Sequence, residues 1–414
     1  MRLLLVSQYF WPENFRINDV ARSLAHKGVE VEVLTGQPNY PGGAVFAGYR
    51  AGACKQETHD GNTVHRMPLL PRGGSGLRLA LNYLSFVATG LLMAPWMLRG
   101  RRFDAVFVYA PSPILQAIPA ILLGAIKRAP VVLWVQDLWP ASLSATGHVN
   151  NRHVLKLVEL VVRFIYRRVD LLLVQSEAFV APVRALAGDT PIVYFPNSVD
   201  ESFSRPPDAA VKVTAAGMDA PFSVLFAGNI GTAQAVDVII DAARRLRDHP
   251  EIAFVVAGDG SRRGAMLEQV ASLGLHNVHL PGHFPVDVMP AMMQQASALL
   301  VTLADKEIFR QTIPSKVQAY LASGRPILAC LNGEGASVVV RAGAGIAVPA
   351  ESGEALAAAV LALSRLAPSE RARMGDSGKA YFAAHFEHDM LIERLQGLLE
   401  ALVNDKMQPT VNPS

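Results

Sequence analysis

The sequence predicts an α/β protein of two Rossmann-like domains, each a doubly wound parallel sheet. Three observations predict it. Short apolar runs alternate with longer segments of helical period, and this series occurs twice along the chain. A proline-rich stretch without apolar periodicity, 202–221, separates the two series. The length, 414 residues, exceeds the size at which one core keeps growing. The expected divisions are an N-terminal domain over 1–201, a linker over 202–221 and a C-terminal domain over 222–385. A helix over 386–404, able to return to the N-terminal domain, and a disordered tail over 405–414 complete the chain.

The elements follow in order. Leu3 to Val6 is a buried parallel strand, Ser7 to Asn14 a turn-rich loop, and Ile17, Val20, Ala21, Leu24 and Ala25 mark one helix face. Gly28 ends that helix, and Glu30 to Thr35 is the next strand, completing one βαβ unit. A long loop, 36–60, precedes a strand at Val64 to Met67. Further strands are expected at Ala105 to Tyr109, Val131 to Val135, Leu171 to Val174 and Ile192 to Phe195. Leu79 to Leu98 is the most hydrophobic segment, flanked by Arg72, Arg78, Arg99, Arg101 and Arg102. Asn82, Ser85, Thr89 and Pro95 make it a poor membrane span, which leaves a sheet-covering helix or an interfacial one. After the linker come strands at Val224 to Ala227, Ala253 to Ala257, Val278 to Leu280 and Ala298 to Leu303, with helices between. The segment from Glu354 to Val403 is helical, with Leu391, Leu395, Leu398, Leu399 and Leu402 in one stripe.

Several classes are excluded by what is missing. A net charge of +3 is too small to argue for nucleic acid. The loop after the first strand has no glycine, so a dinucleotide fingerprint is absent. The two cysteines, Cys54 and Cys330, are far apart and lack metal-ligand spacing. The chain starts directly on a strand-like run, without a secretion-signal pattern, so a reducing cytoplasmic setting is expected.

Two turns carry the chemistry. In Thr312 to Pro326 a helix opens at Pro314, Ser315 and Lys316 and stops at Gly324. Free N–H groups, the helix dipole and an ammonium together suit a phosphate. At the end of the second domain's first strand, Gly228-Asn229-Ile230-Gly231-Thr232 lets backbone approach a ligand, with Thr232 placed to cap the next helix. Two such turns in one domain point to a diphosphate.

With these turns, the chain resembles glycosyltransferase family 4 of the GT-B fold, nearest in type to bacterial colanic acid and O-antigen transferases such as fucosamine transferases. The matching pieces include Ser7 to Glu13, Val135 to Pro140, Pro196 to Asp200, the Gly228 turn, Gly258-Asp259-Gly260 and the Thr312 stretch. The resemblance implies two domains facing across a cleft and a retaining sugar transfer. The donor would be a nucleotide sugar, UDP-linked by resemblance alone, with an N-acetylated deoxyamino sugar as one candidate. The acceptor would be a polyprenyl-linked saccharide used for O-antigen, capsule or exopolysaccharide. The site would be peripheral, on the inner face of the cytoplasmic membrane. No cofactor is expected, the donor being a substrate, and no metal, because the chain has no D-x-D pair.

Carried over residue by residue, Asp137 and Lys316 are the catalytic candidates. Gly228, Asn229, Gly231, Gln234, Gly258, Asp259, Gly260, Arg310, Pro314 and Ser315 would bind the donor, with His283 and Phe284 approaching its base. Pro12, Glu13 and Trp139 would lie on the acceptor side. The sequence departs from the wider family at the E-x7-E pair, whose positions hold Gln311 and Ala319, and where an arginine and a lysine are usual it has Asn229 and Gln234. Lys316 is expected to compensate. A nucleotide-sugar epimerase and a catalytically weak scaffold of a polysaccharide-assembly complex are the alternative readings.

Overall fold

A computed structural model describes residues 1–145, 151–199, 203 and 213–407. They form two compact units, Met1–Asn197 with Leu391–Ser414, and Ser198–Met390. Half of the expected linker (202 and 204–212), Asp200 of the third matching motif and the end of the expected tail (408–414) lie outside the described residues.

The first unit is built on an eight-stranded sheet: β1 (Arg2–Val6), β2 (Glu30–Gly36), β3 (Lys55–His59), β4 (Asn62–Met67), β5 (Ala105–Ala110), β6 (Val131–Val135), β7 (Leu171–Val174) and β8 (Ile192–Tyr194). The order is β3-β4-β2-β1-β5-β6-β7-β8. Every residue of β5, β6 and β7 is buried, as a parallel strand covered on both faces requires. The order reverses between β1 and β5, so the loops after these two strands flank a topological switch point. The helices α1 (Arg16–His26), α2 (Gly76–Met97), α3 (Ala117–Lys127), α4 (Ala141–Ala145), α5 (Arg152–Tyr166) and α6 (Val180–Ala187) join the strands.

One expectation about the sheet fails in this unit. The stretch 36–60 is not all loop, because β3 pairs antiparallel with β4, Glu57 opposite Val64. Lys-Gln-Glu-Thr-His carries no apolar alternation, since an edge strand is held by its partner and its charges rather than by a core face. The guanidinium of Arg66, in β4, is fully buried and ion-paired with Glu57 of β3. It also donates to the Trp11 carbonyl and, at 3.1 Å, to the Gly36 carbonyl. One side chain thus ties the hairpin to the loop after β1.

Helix α2 begins three residues before the expected Leu79, at a Ser75 cap that accepts from the Arg78 N–H. Tyr83, Phe86, Gly90 and Ala94 face the sheet core. By length and composition this helix could cross a membrane, yet its inner face is part of the core. The last helix runs His388–Met407, so residues 405–407, expected in the tail, are helical. Leu391, Leu395 and Leu399 are its buried stripe, and ion pairs Lys27–Glu393 and Lys406–Asp170, both 2.8 Å, tie it to the first unit.

The second unit holds a six-stranded parallel sheet of β9 (Phe222–Ala227), β10 (Ile252–Ala257), β11 (Val278–Gly282), β12 (Ala298–Thr302), β13 (Ile327–Cys330) and β14 (Gly345–Val348), ordered β11-β10-β9-β12-β13-β14. Two apolar clusters cover its faces. Strand β14 and the helix before it, Glu334–Arg341, fall where no element was expected: Gly345-Ile-Ala-Val is too short for a periodic signal. The order reverses between β9 and β12, the switch point of this sheet. Thr232 does not cap a helix. It opens a single 3-10 turn, Thr232–Gln234, and the following helix Asp237–Arg245 has no side-chain cap.

Replacing Arg66 by Met strands Glu57 and removes two carbonyl partners, and should cost about 3–5 kcal/mol. Urea denaturation of the purified variant reads this directly, and a loss below 1 kcal/mol would mean the hairpin is held by other contacts.

Candidate functional site

In the second unit the turns after β9 and β10 are locked together backbone to backbone. Gly228 N–H donates to the Ala257 carbonyl at 2.8 Å, Ile230 N–H to Asp259 at 2.8 Å, and Arg262 N–H to Ile230 at 2.9 Å. Gly258 has φ +148°, and a Cβ there would stand 1.9 Å from the Gly228 carbonyl oxygen. Only glycine permits both the conformation and the approach. Asn229 donates to Gln234 Oε1 at 3.1 Å, and both surround Gly231. Gly260 closes the group against Ile230 and Asn229, and its N–H is held by the Asp259 carboxylate at 2.8 Å.

The helix Ser315–Ser323 starts beside this pair of turns, with Pro314 at its cap position and Gly324 left-handed at its end. Strands β9 and β12 are in register only at Val224–Ala298 and Leu225–Leu299. Beyond that point the Ala227 N–H donates to the buried Tyr320 hydroxyl at 3.1 Å, which pins the helix to the end of β9. The pinning brings Lys316 over Gly228. Its Nζ lies 3.6 Å from the centroid of the Phe226 ring, and its Cε occupies the space a Gly228 side chain would need. This ammonium is buried and has no hydrogen-bond partner among the described residues. Burial pushes its pKa down to about 7. A buried cation without a hydrogen-bond partner among the described residues, at the start of a helix, is a site prepared for an anion.

The remaining donor-side candidates are more dispersed. Arg310 makes a bidentate pair with Asp305, both bonds 2.7 Å, which holds the Asp305 carboxyl at about 2, so its charge is already engaged. Ser315 and His283 are exposed, whereas Phe284 packs partly on the core. The loop holding them is anchored by Gly258 N–H donating to the Gly282 carbonyl at 2.8 Å. Ala319 is buried in the helix. Gln311 donates to Glu307 at 2.9 Å, so a carboxylate does stand beside it.

The first unit presents a separate group at its own switch point. Glu13 is buried, and its carboxylate accepts the N–H groups of Asn39 at 2.8 Å, Tyr40 at 2.7 Å and Phe10 at 3.2 Å. Burial still dominates and raises its pKa to about 7. Its oxygens are spent on holding loops, with Pro12 in the same turn. Behind it runs a buried amide network the sequence reading missed: Gln8 N–H to Gln116 at 2.6 Å, Gln8 to Asn82 at 2.7 Å, and Asn82 to Asn39 at 3.3 Å. Four scattered amides have no spacing signature. Asp137 lies after β6, half-buried, facing the Ser142 hydroxyl, the Trp139 indole and the Leu138 N–H. Burial outweighs these donors and raises its pKa. Among the described residues no group of three or more His, Cys, Asp or Glu is arranged to hold a metal.

Two outcomes follow from this geometry. Tyr320→Phe leaves the buried Ala227 N–H unpaired and should cost ~1–3 kcal/mol in urea denaturation. Lys316→Met should stabilise the ligand-free protein at pH 7. The folded pKa lies below the unfolded value, so between about 7 and about 10.4 the unfolded chain binds the extra proton and stability rises with pH. The variant should lose this rise, and an unchanged pH profile of the denaturation midpoint would mean that Lys316 is not buried as a cation.

A model described as "Glycosyl transferase 4-like domain" matches residues 14–198, and one described as "Glycosyl transferases group 1" matches 221–365. The chain is 29% identical over 342 residues, 78% of its length and 82% of the relative's, to the putative colanic acid biosynthesis glycosyl transferase WcaI of Escherichia coli K12. Its fold is shared by sucrose-phosphate synthase of Thermosynechococcus elongatus, at TM-score 0.68 and 15% identity over 98% of this chain and 99% of that one. It is shared equally by HepE of Anabaena, solved in complex with UDP, at TM-score 0.68 and 14% identity over 97% and 100%. With one family model on each unit and the same parallel-sheet fold throughout, the chain belongs to glycosyltransferase family 4, the GT-B transferases.

Proposed function

We propose that the protein transfers a sugar, with retention of configuration, from a UDP-linked donor to a polyprenyl-linked saccharide during assembly of a cell-surface polysaccharide. The observation that carries this reading is the buried, unpartnered ammonium of Lys316 beside the Gly228 turn. Two relatives support its details. WcaI is named for colanic acid biosynthesis, and HepE was solved with UDP.

In this reading the second unit binds the donor. Lys316, the N–H groups of Ser315 and Lys316, and the Gly228–Gly231 backbone take the diphosphate, and no metal ion assists them. The diphosphate restores the lysine's charge. As the sugar–phosphate bond breaks, negative charge grows on the leaving oxygen, and a fixed cation there lowers the barrier. The first unit receives the acceptor. Asp137, beside Trp139 and Ser142, orients the acceptor hydroxyl or steadies the cationic sugar, and its raised pKa suits a group that shares a proton. The protein works peripherally at the inner face of the cytoplasmic membrane, where such acceptors are presented.

A thermal-shift panel of UDP-, GDP- and dTDP-sugars tests the donor, and a selective rise with a UDP-sugar is expected. Lys316→Ala should abolish that rise and slow transfer by the equivalent of ~2–4 kcal/mol. Affinity should weaken as pH climbs past 7, because the anion favours the protonated lysine. Asp137→Asn should keep the thermal shift and lower kcat by ~10²–10⁴. Wild-type rates in either variant, or loss of turnover in EDTA, would reject the assignment concerned.

A further inference from the structure

Helices α2, α3 and α5 lie side by side on one face of the first sheet, α2 against α3 and α3 against α5. Each sends an inner row into the same core: Phe86 and Ala94, Ala120 and Leu123, Val162 and Ile165. Their outer rows are apolar as well. Along α2 the exposed positions 77, 81, 84, 88, 92 and 96 are spaced by three or four residues, so they form one continuous stripe. They are Leu, Leu, Leu, Ala, Leu and Trp, with Leu92 79% and Trp96 74% exposed. The polar residues that marked this helix as a poor span do not interrupt the stripe. Asn82 is buried, and the Ser85 and Thr89 hydroxyls donate to helix carbonyls at 2.8 and 2.9 Å.

Helix α5 carries a second stripe, Val154, Leu157, Leu160 and Phe164, and Ile126 of α3 stands exposed as well. Of the seventeen large hydrophobic residues exposed among the described residues, ten belong to these three helices. Single exposed leucines need no partner, but a concentration of this kind marks an interaction surface.

The charges around it select the partner. Segments 72–102, 111–130 and 152–168 contain twelve Lys and Arg and one acidic residue, Glu159, in a chain of 38 basic and 35 acidic residues. Glu159 is already paired with Arg163 at 2.8 Å. Arg99, Arg102, Arg128, Arg152 and Lys156 are exposed around the apolar rows. A second copy of this face would bring like charges together, whereas anionic headgroups above an acyl layer match both features.

We propose that α2, α3 and α5 form one docking face for an anionic lipid leaflet. The two long helices lie along the interface, their leucines below the headgroups and Trp96 and the arginines at headgroup level. The face deepens the reading of a lipid-linked acceptor and rests on it only for its purpose. Through Asn82, the start of α2 is bonded to Gln8 and Asn39 at the loops proposed to receive that acceptor.

The test uses the full chain and sedimentation with vesicles of phosphatidylethanolamine and phosphatidylglycerol, with phosphatidylcholine vesicles as the control. Binding to the anionic vesicles, reduced by high salt, is expected. Two triple variants separate the helices: Leu84→Gln, Leu92→Gln and Trp96→Gln on α2, and Leu157→Gln, Leu160→Gln and Phe164→Gln on α5. Each should lower vesicle partitioning by ~10-fold or more while the thermal midpoint is kept. The proposal is overturned if wild type ignores anionic vesicles, or if the α5 variant binds like wild type. It is also overturned if sedimentation velocity shows a dimer that these substitutions dissolve while vesicle binding is absent. The UDP-sugar thermal shift of the same samples reads the transferase assignment separately, since no vesicle enters that measurement.

Discussion

The second unit's chemistry depends on two glycines in van der Waals contact through their backbones. Because Gly258 lies directly on the Gly228 carbonyl, the turns after two neighbouring strands move as one piece, with hydrogen bonds on either side of the contact. That rigidity sets the floor of the space into which Lys316 extends. A side chain at Gly228 would evict the lysine, and one at Gly258 would separate the turns. Among the described residues the ring of Phe226 supplies the ammonium's one favourable electrostatic contact, a cation–π interaction. Such contacts are weaker than a carboxylate partner, so the lysine stays responsive to an incoming anion.

Both sheets solve the same problem at their carboxyl edges. Where strand order reverses, neighbouring connections leave in opposite directions and backbone groups lose their ladder partners. In the second unit the Tyr320 hydroxyl takes up the one N–H this exposes at Ala227. In the first, Glu13 gathers three N–H groups and the amides of Gln8, Asn39, Asn82 and Gln116 join the loops. The result is a firm rim on each sheet, made by groups whose hydrogen bonds are directed at backbone.

Much of the fold was legible. Buried parallel strands announce themselves as unbroken apolar runs, and the bounds of β6 and β7 match the expected residues. Strand β3 did not, because its five residues are polar and its stability comes from β4 and Arg66. Of the site, the Gly228 turn and the Lys316 helix could be read because glycine and a helix start have local causes. Tyr320 could not: it sits four residues past Lys316 in an apolar helix face, and only the divergence of β9 from β12 gives its hydroxyl a task. Glu307 is four residues from Gln311, and only the short helix Glu307–Arg310 brings its carboxylate to that side chain. The outer row of α5 was also invisible, since the sequence does not say which of a helix's apolar residues the core will cover.

The concentration of bases on three helices has a counterpart elsewhere in the chain. Setting aside those twelve basic residues and one acidic one leaves 26 basic against 34 acidic in the remainder. A near-neutral total therefore conceals a basic face on the first unit and an acidic excess in the rest of the sequence. In front of a negatively charged surface such a particle experiences a torque before any atoms touch. That torque reaches about one Debye length, ~8 Å at physiological ionic strength. Association would then begin with rotation, and the face that arrives first would be the apolar one.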